Sequence, residues 1–210
     1  MKTRVYPITD AQISGISHAD QVSLLADAGA TLVQLREKNL PALDFYTEAK
    51  AALAIARQRG VTLIINDRVD VALALGADGV HLGQDDLPPE AARKLLGEDA
   101  VIGYSTHNVE QAIGTAVLPV NYIAIGPIFE TGSKTNPDPV VGLDGVWAVR
   151  QAVGKMTLVA IGGITAENAP AVIDAGADCV ALISGLLSGG PTAVSNRYRN
   201  LTRILSLRQT

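Results

Sequence analysis

Gln34, Arg36 and Lys38 alternate along the segment QLREK at 34–38. Side chains of an extended strand alternate between its faces, so these three share one face and Val33, Leu35 and Glu37 take the other. Two cations converging on one point call for an anion. Phosphate suits them, because guanidinium and ammonium both form charge-assisted hydrogen bonds to its oxygens. A salt bridge inside the protein would use the same residues. Further on, Asn66 and Asp67 close one apolar run, and Gly83-Gln84-Asp85-Asp86 closes the next. Two carboxylates at neighbouring strand ends suit a hard cation such as Mg²⁺, completed by water and substrate phosphate. Helix capping is the plainer use of Asp at such places. Spacing alone does not choose between Asp85 and Asp86.

Ser105 and His107, in GYSTH at 103–107, also share a face. A nucleophilic serine would need an orienting third group, and the sharp G-x-S-x-G turn is missing, so a hydrogen-bonding Ser105 and a structural His107 are the expectation. His81 lies within an apolar run and reads as an interior histidine. His18 opens a helix and carries no expected role. GPIFETGSK at 126–134 supplies Thr131, Ser133 and Lys134. It is not a P-loop, which needs G-x-x-x-x-G-K-[ST], yet hydroxyls beside a lysine still suit phosphate. A second anion site is expected where Gly162-Gly163 and Ile183-Ser184-Gly185 expose backbone N–H groups free of side-chain obstruction.

What must position these residues is legible in a recurring phrase: DAGATLVQL at 27–35, ALGADGVHL at 74–82 and DAGADCVAL at 174–182. Each time an apolar helical stretch ends in glycine, which suits the left-handed closing residue, and a β-branched run follows. The spacings fit a unit of about 25 residues, hence about eight units in a chain of 210. Strand candidates fall at 4–9, 31–36, 62–66, 79–82, 101–103, 122–126, 158–162 and 179–183, with eight helical patterns between them. The stretch 44–57 is the longest of these. Pro88 and Pro89 suit a helix start, and Asn108 with Gln111 reads as a capping box. Eight strands alternating with eight helices fit an α/β fold, a single-domain (β/α)8 TIM barrel over residues 1–210, in preference to an open doubly wound sheet. The one long loop, 129–142, is expected to be functional. In such a barrel the site lies at the C-terminal strand ends, where the candidate anion- and metal-binding residues above fall.

Composition excludes other classes. The 17 basic and 21 acidic residues leave a net charge of −4 with no cationic run, so no nucleic-acid partner is expected. A single cysteine, Cys179, excludes an internal disulfide framework and suits a cytoplasmic setting. No apolar run reaches the roughly 18 residues of a membrane span. The expected partners are small phosphorylated molecules; homo-oligomerisation stays open.

QLREK, NDRVDVALALGADGVHLGQDD at 66–86, GYSTH, GPIFETGSK and IGGITAEN at 161–168 together resemble the thiamine-phosphate synthase family, from about Tyr6 to Gly185. The resemblance implies a barrel enzyme of the transferase class, EC 2.5.1.3. It would join 4-amino-2-methyl-5-hydroxymethylpyrimidine diphosphate to a thiazole monophosphate, or to its carboxylate, and release diphosphate through a dissociative step. It implies that Gln34, Arg36, Lys38 and Asn66 hold the pyrimidine diphosphate, that Asp67 and Asp86 hold one Mg²⁺ per subunit, that Ser105 contacts the pyrimidine diphosphate and that Lys134 contacts its phosphates. Thr131 and Ser133 would take the thiazole phosphate, closed by Gly163, Ile183 and Ser184. Arg36, Ser105 and Lys134 are the implied catalytic residues. Where the family lid often reads P-T-x-T-K, this chain has Glu130-Thr131-Gly132-Ser133-Lys134. Two alternatives share the barrel: a thiazole tautomerase using a histidine at the His107 position, and a non-catalytic thiazole-phosphate-binding regulator. An unrelated phosphosugar barrel is a further one.

Overall fold

The computed structural model describes residues 3–132 and 138–207. Its strands are β1 Val5–Thr9, β2 Leu32–Leu35, β3 Thr62–Asn66, β4 Gly79–Leu82, β5 Val101–Thr106, β6 Tyr122–Ile125, β7 Leu158–Ile161 and β8 Cys179–Leu182. They pair in sequence order, all parallel, and β8 returns to β1 to close the barrel. The helices are α1 Ala11–Ser14, α2 His18–Asp27, α3 Ala42–Arg59, α4 Val69–Leu75, α5 Pro89–Leu96, α6 Val109–Thr115, α7 Gly142–Val153, α8 Ala169–Asp174, α9 Ser184–Leu187 and α10 Pro191–Ser206. This is the (β/α)8 TIM barrel. Two details differ from the sequence expectation. Helical segments among the described residues number ten, because single turns α1 and α9 follow β1 and β8. β5 also runs three residues further than 101–103, which puts Ser105 inside a strand with Ala124 as its β6 partner.

Strand alternation splits the core in two. Val33, Leu35, Leu63 and Ile65 pack outward with the helices, while Ile8, Ile64, Tyr122, Val159 and Ala181 fill the barrel. The interior is tight at β5. A Cβ on Gly103 would lie 2.0 Å from the Tyr122 ring, so only glycine leaves room for that tyrosine. The repeated glycines do close helices in the left-handed region, with φ of 97° at Gly29, 61° at Gly76 and 114° at Gly176.

Local signals act as written in the sequence. Pro88 and Pro89 open α5. Asn108 caps α6 by accepting from the Gln111 N–H at 2.8 Å. Gln111 reaches back to the His107 N–H at 2.7 Å, one residue before the cap, so the box also ties down the end of β5. No helix among the described residues is long and apolar enough to cross a membrane.

Candidate active site

The C-terminal strand ends surround a cavity of about 530 Å³. Gln34, Arg36, Lys38, Asn66, Asp67, Asp86, Ser105, Thr131, Gly163, Ile183 and Ser184 all line it. Ser133 and Lys134 lie outside the described residues.

Arg36 and Lys38 extend past the end of β2 and already hold carboxylates. Arg36 Nη1 donates to Asp10 Oδ2 at 2.7 Å. Asp10 closes β1, and its other oxygen caps α1 by accepting from the N–H groups of Gln12 and Ile13. Lys38 Nζ donates to Asp67 Oδ2. The salt-bridge use of these cations and their place in the cavity wall therefore hold together. Their stem is fixed from behind. Glu37 turns to the other face, where its carboxylate lies 3.4 Å from His18 Nε2 and accepts from the Asn39 N–H at 2.8 Å. Burial pushes the Glu37 carboxyl up, but the Asn39 N–H and the His18 ring outweigh it and hold the group below its usual range. His18 is fully buried and its Nδ1 meets the Thr9 hydroxyl at 2.7 Å. The view of His18 as a mere helix opener is thus corrected: it clamps the ends of β1 and β2 together.

Asn66 ends β3 almost fully buried, and its Nδ2 has no hydrogen-bond partner among the described residues. An orphaned buried donor is costly, and such an atom in a cavity wall is satisfied at once by an acceptor on a ligand. Asp67 follows with φ of 62°, the one non-glycine residue at positive φ among those described. Its N–H donates to the His81 carbonyl at 2.8 Å, which holds the turn. This backbone costs of order 1 kcal/mol and aims the side chain over the barrel.

Asp85 and Asp86 both line the cavity, and it is Asp86 whose carboxyl stands by Asp67. The Asp86 Oδ2 accepts from the Gly83 N–H at 2.7 Å, and its carboxyl lies within the field of the Asp67 carboxylate. Burial raises the Asp86 pKa and the Asp67 charge raises it further, against the pull of the Gly83 N–H and Lys38. Two facing carboxyls of this kind are hard oxygen donors held at an electrostatic cost, which fits a divalent cation. Among the described residues no group of three or more His, Cys, Asp or Glu exists that could hold a metal. The rest of an ion's shell would fall to water and a ligand.

Ser105 bonds to His81 and not to His107. Its Oγ lies 2.8 Å from His81 Nε2, and its carbonyl accepts from Gln84 Nε2 at 2.6 Å. His107 Nδ1 donates to the Gly126 carbonyl at 2.7 Å, with Asp138 3.4 Å away. A Ser105–His107 nucleophile pair is therefore absent, as expected, and His81 is the satisfied interior histidine. Tyr6 and Tyr122, which reach the cavity from below, escaped the sequence reading. Period two does put both on inward positions, which is the signal that marks them.

On the opposite wall the β7 loop packs against the β6 loop. A Cβ on Gly163 would lie 2.5 Å from the Glu130 carbonyl oxygen, and φ there is 63°. Close approach and the positive φ thus already require glycine at 163. Ser184 opens α9 beside it.

Against known proteins, the thiamine monophosphate synthase family model matches residues 5–186. The chain belongs to the thiamine monophosphate synthase family. Family relatives include the thiamine-phosphate synthase of Koribacter versatilis, 49% identical over 191 residues, or 88% of this chain and 89% of that one. That of Clostridium novyi is 45% identical, over 88% of this chain and 90% of its own. The solved thiamine phosphate pyrophosphorylase of Pyrococcus furiosus superposes with a TM-score of 0.86 at 32% identity, covering 98% of this chain and 96% of that one. Thiamine monophosphate synthase membership makes the chain an enzyme of thiamine biosynthesis, a transferase of the thiamine-phosphate synthase type, EC 2.5.1.3.

Proposed function

We propose that this chain, residues 1–210 acting as one domain, condenses 4-amino-2-methyl-5-hydroxymethylpyrimidine diphosphate with 4-methyl-5-(2-phosphoethyl)thiazole, or its carboxylate. The products are thiamine phosphate and diphosphate, with CO₂ when the thiazole is carboxylated. The observation that carries this reading is the division of one cavity. The wall from β2 to β4 brings Lys38, Asp67 and Asp86 together. The wall from β6 to β8 offers Thr131, Gly163 and Ser184.

In the reaction, the C–O bond between the pyrimidine methylene and the diphosphate breaks first and the electron pair leaves with diphosphate. The thiazole nitrogen then gives its lone pair to the methylene carbon. Arg36 and Lys38 would bind the departing diphosphate, and the Asn66 amide would give its orphaned proton to an acceptor on the same substrate. Asp67 and Asp86 would hold one Mg²⁺, which when bound supplies positive charge for the leaving group. No side chain need act as nucleophile. Gly163, Ile183 and Ser184, with Thr131 and the sequence-assigned Ser133, would seat the thiazole phosphate, and Lys134 would close on the diphosphate. We further propose a cytoplasmic setting and small-molecule partners only, supported by the lone buried thiol of Cys179 and by the charge of the substrates.

The test is direct. Incubated with both substrates and Mg²⁺, the protein should release diphosphate in step with thiamine phosphate, and EDTA should stop both. Unchanged release in EDTA would remove the metal from the reading; no thiamine phosphate under any condition would remove the reading itself.

A further inference from the structure

Beneath the cavity, polar side chains from five strands form one continuous line. Gln34 Nε2, on β2, donates to the Tyr6 hydroxyl on β1 at 3.2 Å. The hydroxyls of Tyr6 and Tyr122, the latter on β6, are 3.1 Å apart. Tyr122 lies 2.9 Å from His81 Nδ1 on β4, and His81 Nε2 lies 2.8 Å from Ser105 Oγ on β5. Gln34, Tyr6, Tyr122 and His81 are all buried. Ser105, at the far end, faces the cavity.

Such a line has a direction. Each hydroxyl carries one proton, a neutral imidazole carries one N–H, and an amide NH₂ only donates. Gln34 donates to Tyr6, so the Tyr6 proton goes to Tyr122. Tyr122 then donates to His81 Nδ1. With Nδ1 accepting, the imidazole proton sits on Nε2 and is donated to Ser105 Oγ. Ser105 has now accepted its interior bond, and its own proton is left for the cavity. A doubly protonated His81 does not fit this line. It would turn the Tyr122 proton back toward Tyr6, whose own proton would then face the Gln34 amide without an acceptor. A second closed arrangement exists in principle. With an acceptor in place of the Gln34 NH₂, every link reverses and Ser105 donates inward, offering the cavity lone pairs alone.

We propose that Gln34 is a positioning residue that sets the proton order of this line, so that His81 is the Nε2–H tautomer and Ser105 presents a hydroxyl proton to the substrate. The amide on β2 thereby decides whether a hydroxyl on β5 recognises a hydrogen-bond acceptor or a donor. The identity of that acceptor, an atom of the pyrimidine diphosphate, rests on the proposed function; the order of the protons does not.

The order is measured without substrate. Two-bond ¹H–¹⁵N correlation of histidine-labelled protein at neutral pH distinguishes the tautomers. His18→Asn and His107→Asn assign the other two of the three histidines. Wild type should show His81 protonated on Nε2. Gln34→Glu puts an acceptor at Tyr6 and should move the proton to Nδ1. Tyr122→Phe cuts the line, and the tautomer should then no longer respond to Gln34→Glu. An Nδ1–H tautomer in wild type, or Nε2–H retained in a folded Gln34→Glu protein, overturns the proposal. The functional half is read as a double-mutant cycle. Ser105→Ala should weaken pyrimidine diphosphate binding about tenfold in the wild-type background, the scale of one hydrogen bond, and much less in Gln34→Glu. Equal losses in the two backgrounds overturn the role given to Ser105 even if the tautomers are as stated.

Discussion

Lys38, carried past the end of β2, donates a hydrogen bond to Asp67 at the end of β3, and the Asp67 charge in turn raises the pKa of Asp86 beyond β4. One ammonium thus serves two facing carboxyls, which leaves the trio one negative charge in excess when both are ionised. A divalent cation would reverse that imbalance.

Removing either carboxylate should therefore abolish turnover without unfolding the protein. Asp67→Asn and Asp86→Asn are expected to lower the rate of diphosphate release by orders of magnitude, while Asp85→Asn, next to the pair, should have a mild effect. Steady-state assays across a Mg²⁺ titration make the comparison. Near-parental activity of Asp86→Asn would show that the pair is not the metal site.

The same substitution should stabilise the fold. The Asp86 carboxyl is raised above its usual range, first by burial and then by Asp67. The folded state therefore binds its proton more tightly than the unfolded chain, and wild-type stability falls as pH rises from the usual carboxylate range through the raised value. Asp86→Asn keeps an acceptor for the Gly83 N–H but removes this loss. A gain of about 0.5–2 kcal/mol is expected at pH 7, toward the low end because the pair is partly open to solvent. It should disappear in acid. Thermal melts of metal-free protein at both pH values test the sign.

Lys38→Ala should weaken the pyrimidine diphosphate far more than the thiazole phosphate. A charge-assisted contact is worth roughly 1.5–3 kcal/mol, so a ten- to hundredfold loss of affinity is the scale, and the unpaired Asp67 charge adds to it. Calorimetry with each ligand separately reads the difference; equal losses would contradict the division of the cavity into two anion sites.

Glu37 gives a stability effect of opposite pH dependence. Its folded pKa lies below the usual 4.5 despite burial, because the Asn39 N–H and His18 hold the ionised form. Its contribution is complete above the usual value and is lost as pH falls through the folded one. Glu37→Gln should cost about 1 kcal/mol at pH 7 and little in strong acid. Urea midpoints at the two pH values would expose a reversed trend.

Gly103→Ala should be among the more damaging small substitutions. The new methyl would lie 2.0 Å from the Tyr122 ring. That ring is fully buried and hydrogen-bonded to Tyr6 and His81. Overpacking of this kind costs about 1–3 kcal/mol, or a fall in Tm of roughly 2–4 °C per kcal/mol for a chain of this size. An unchanged Tm would mean that Tyr122 has another place to go.

The sequence by itself determined the eight units, the glycine helix stops and the strand ends where chemistry gathers. Those are local matters: a β-branched run, a left-handed glycine and a period of two need only neighbours in the chain. Gln34, Arg36 and Lys38 share their cavity-facing side for the same reason. What lies across the barrel was decided only by its closure. Asp86 rather than Asp85 faces Asp67 because the Gly83 turn aims it, and His18 matters because α2 brings it against Thr9 and Glu37. The line from Gln34 to Ser105 joins side chains up to 116 residues apart, Tyr6 to Tyr122. No local period encodes such a meeting. The register and stagger of eight strands fix which inward side chains stand at one height, and with them the direction in which the protons of that line can run.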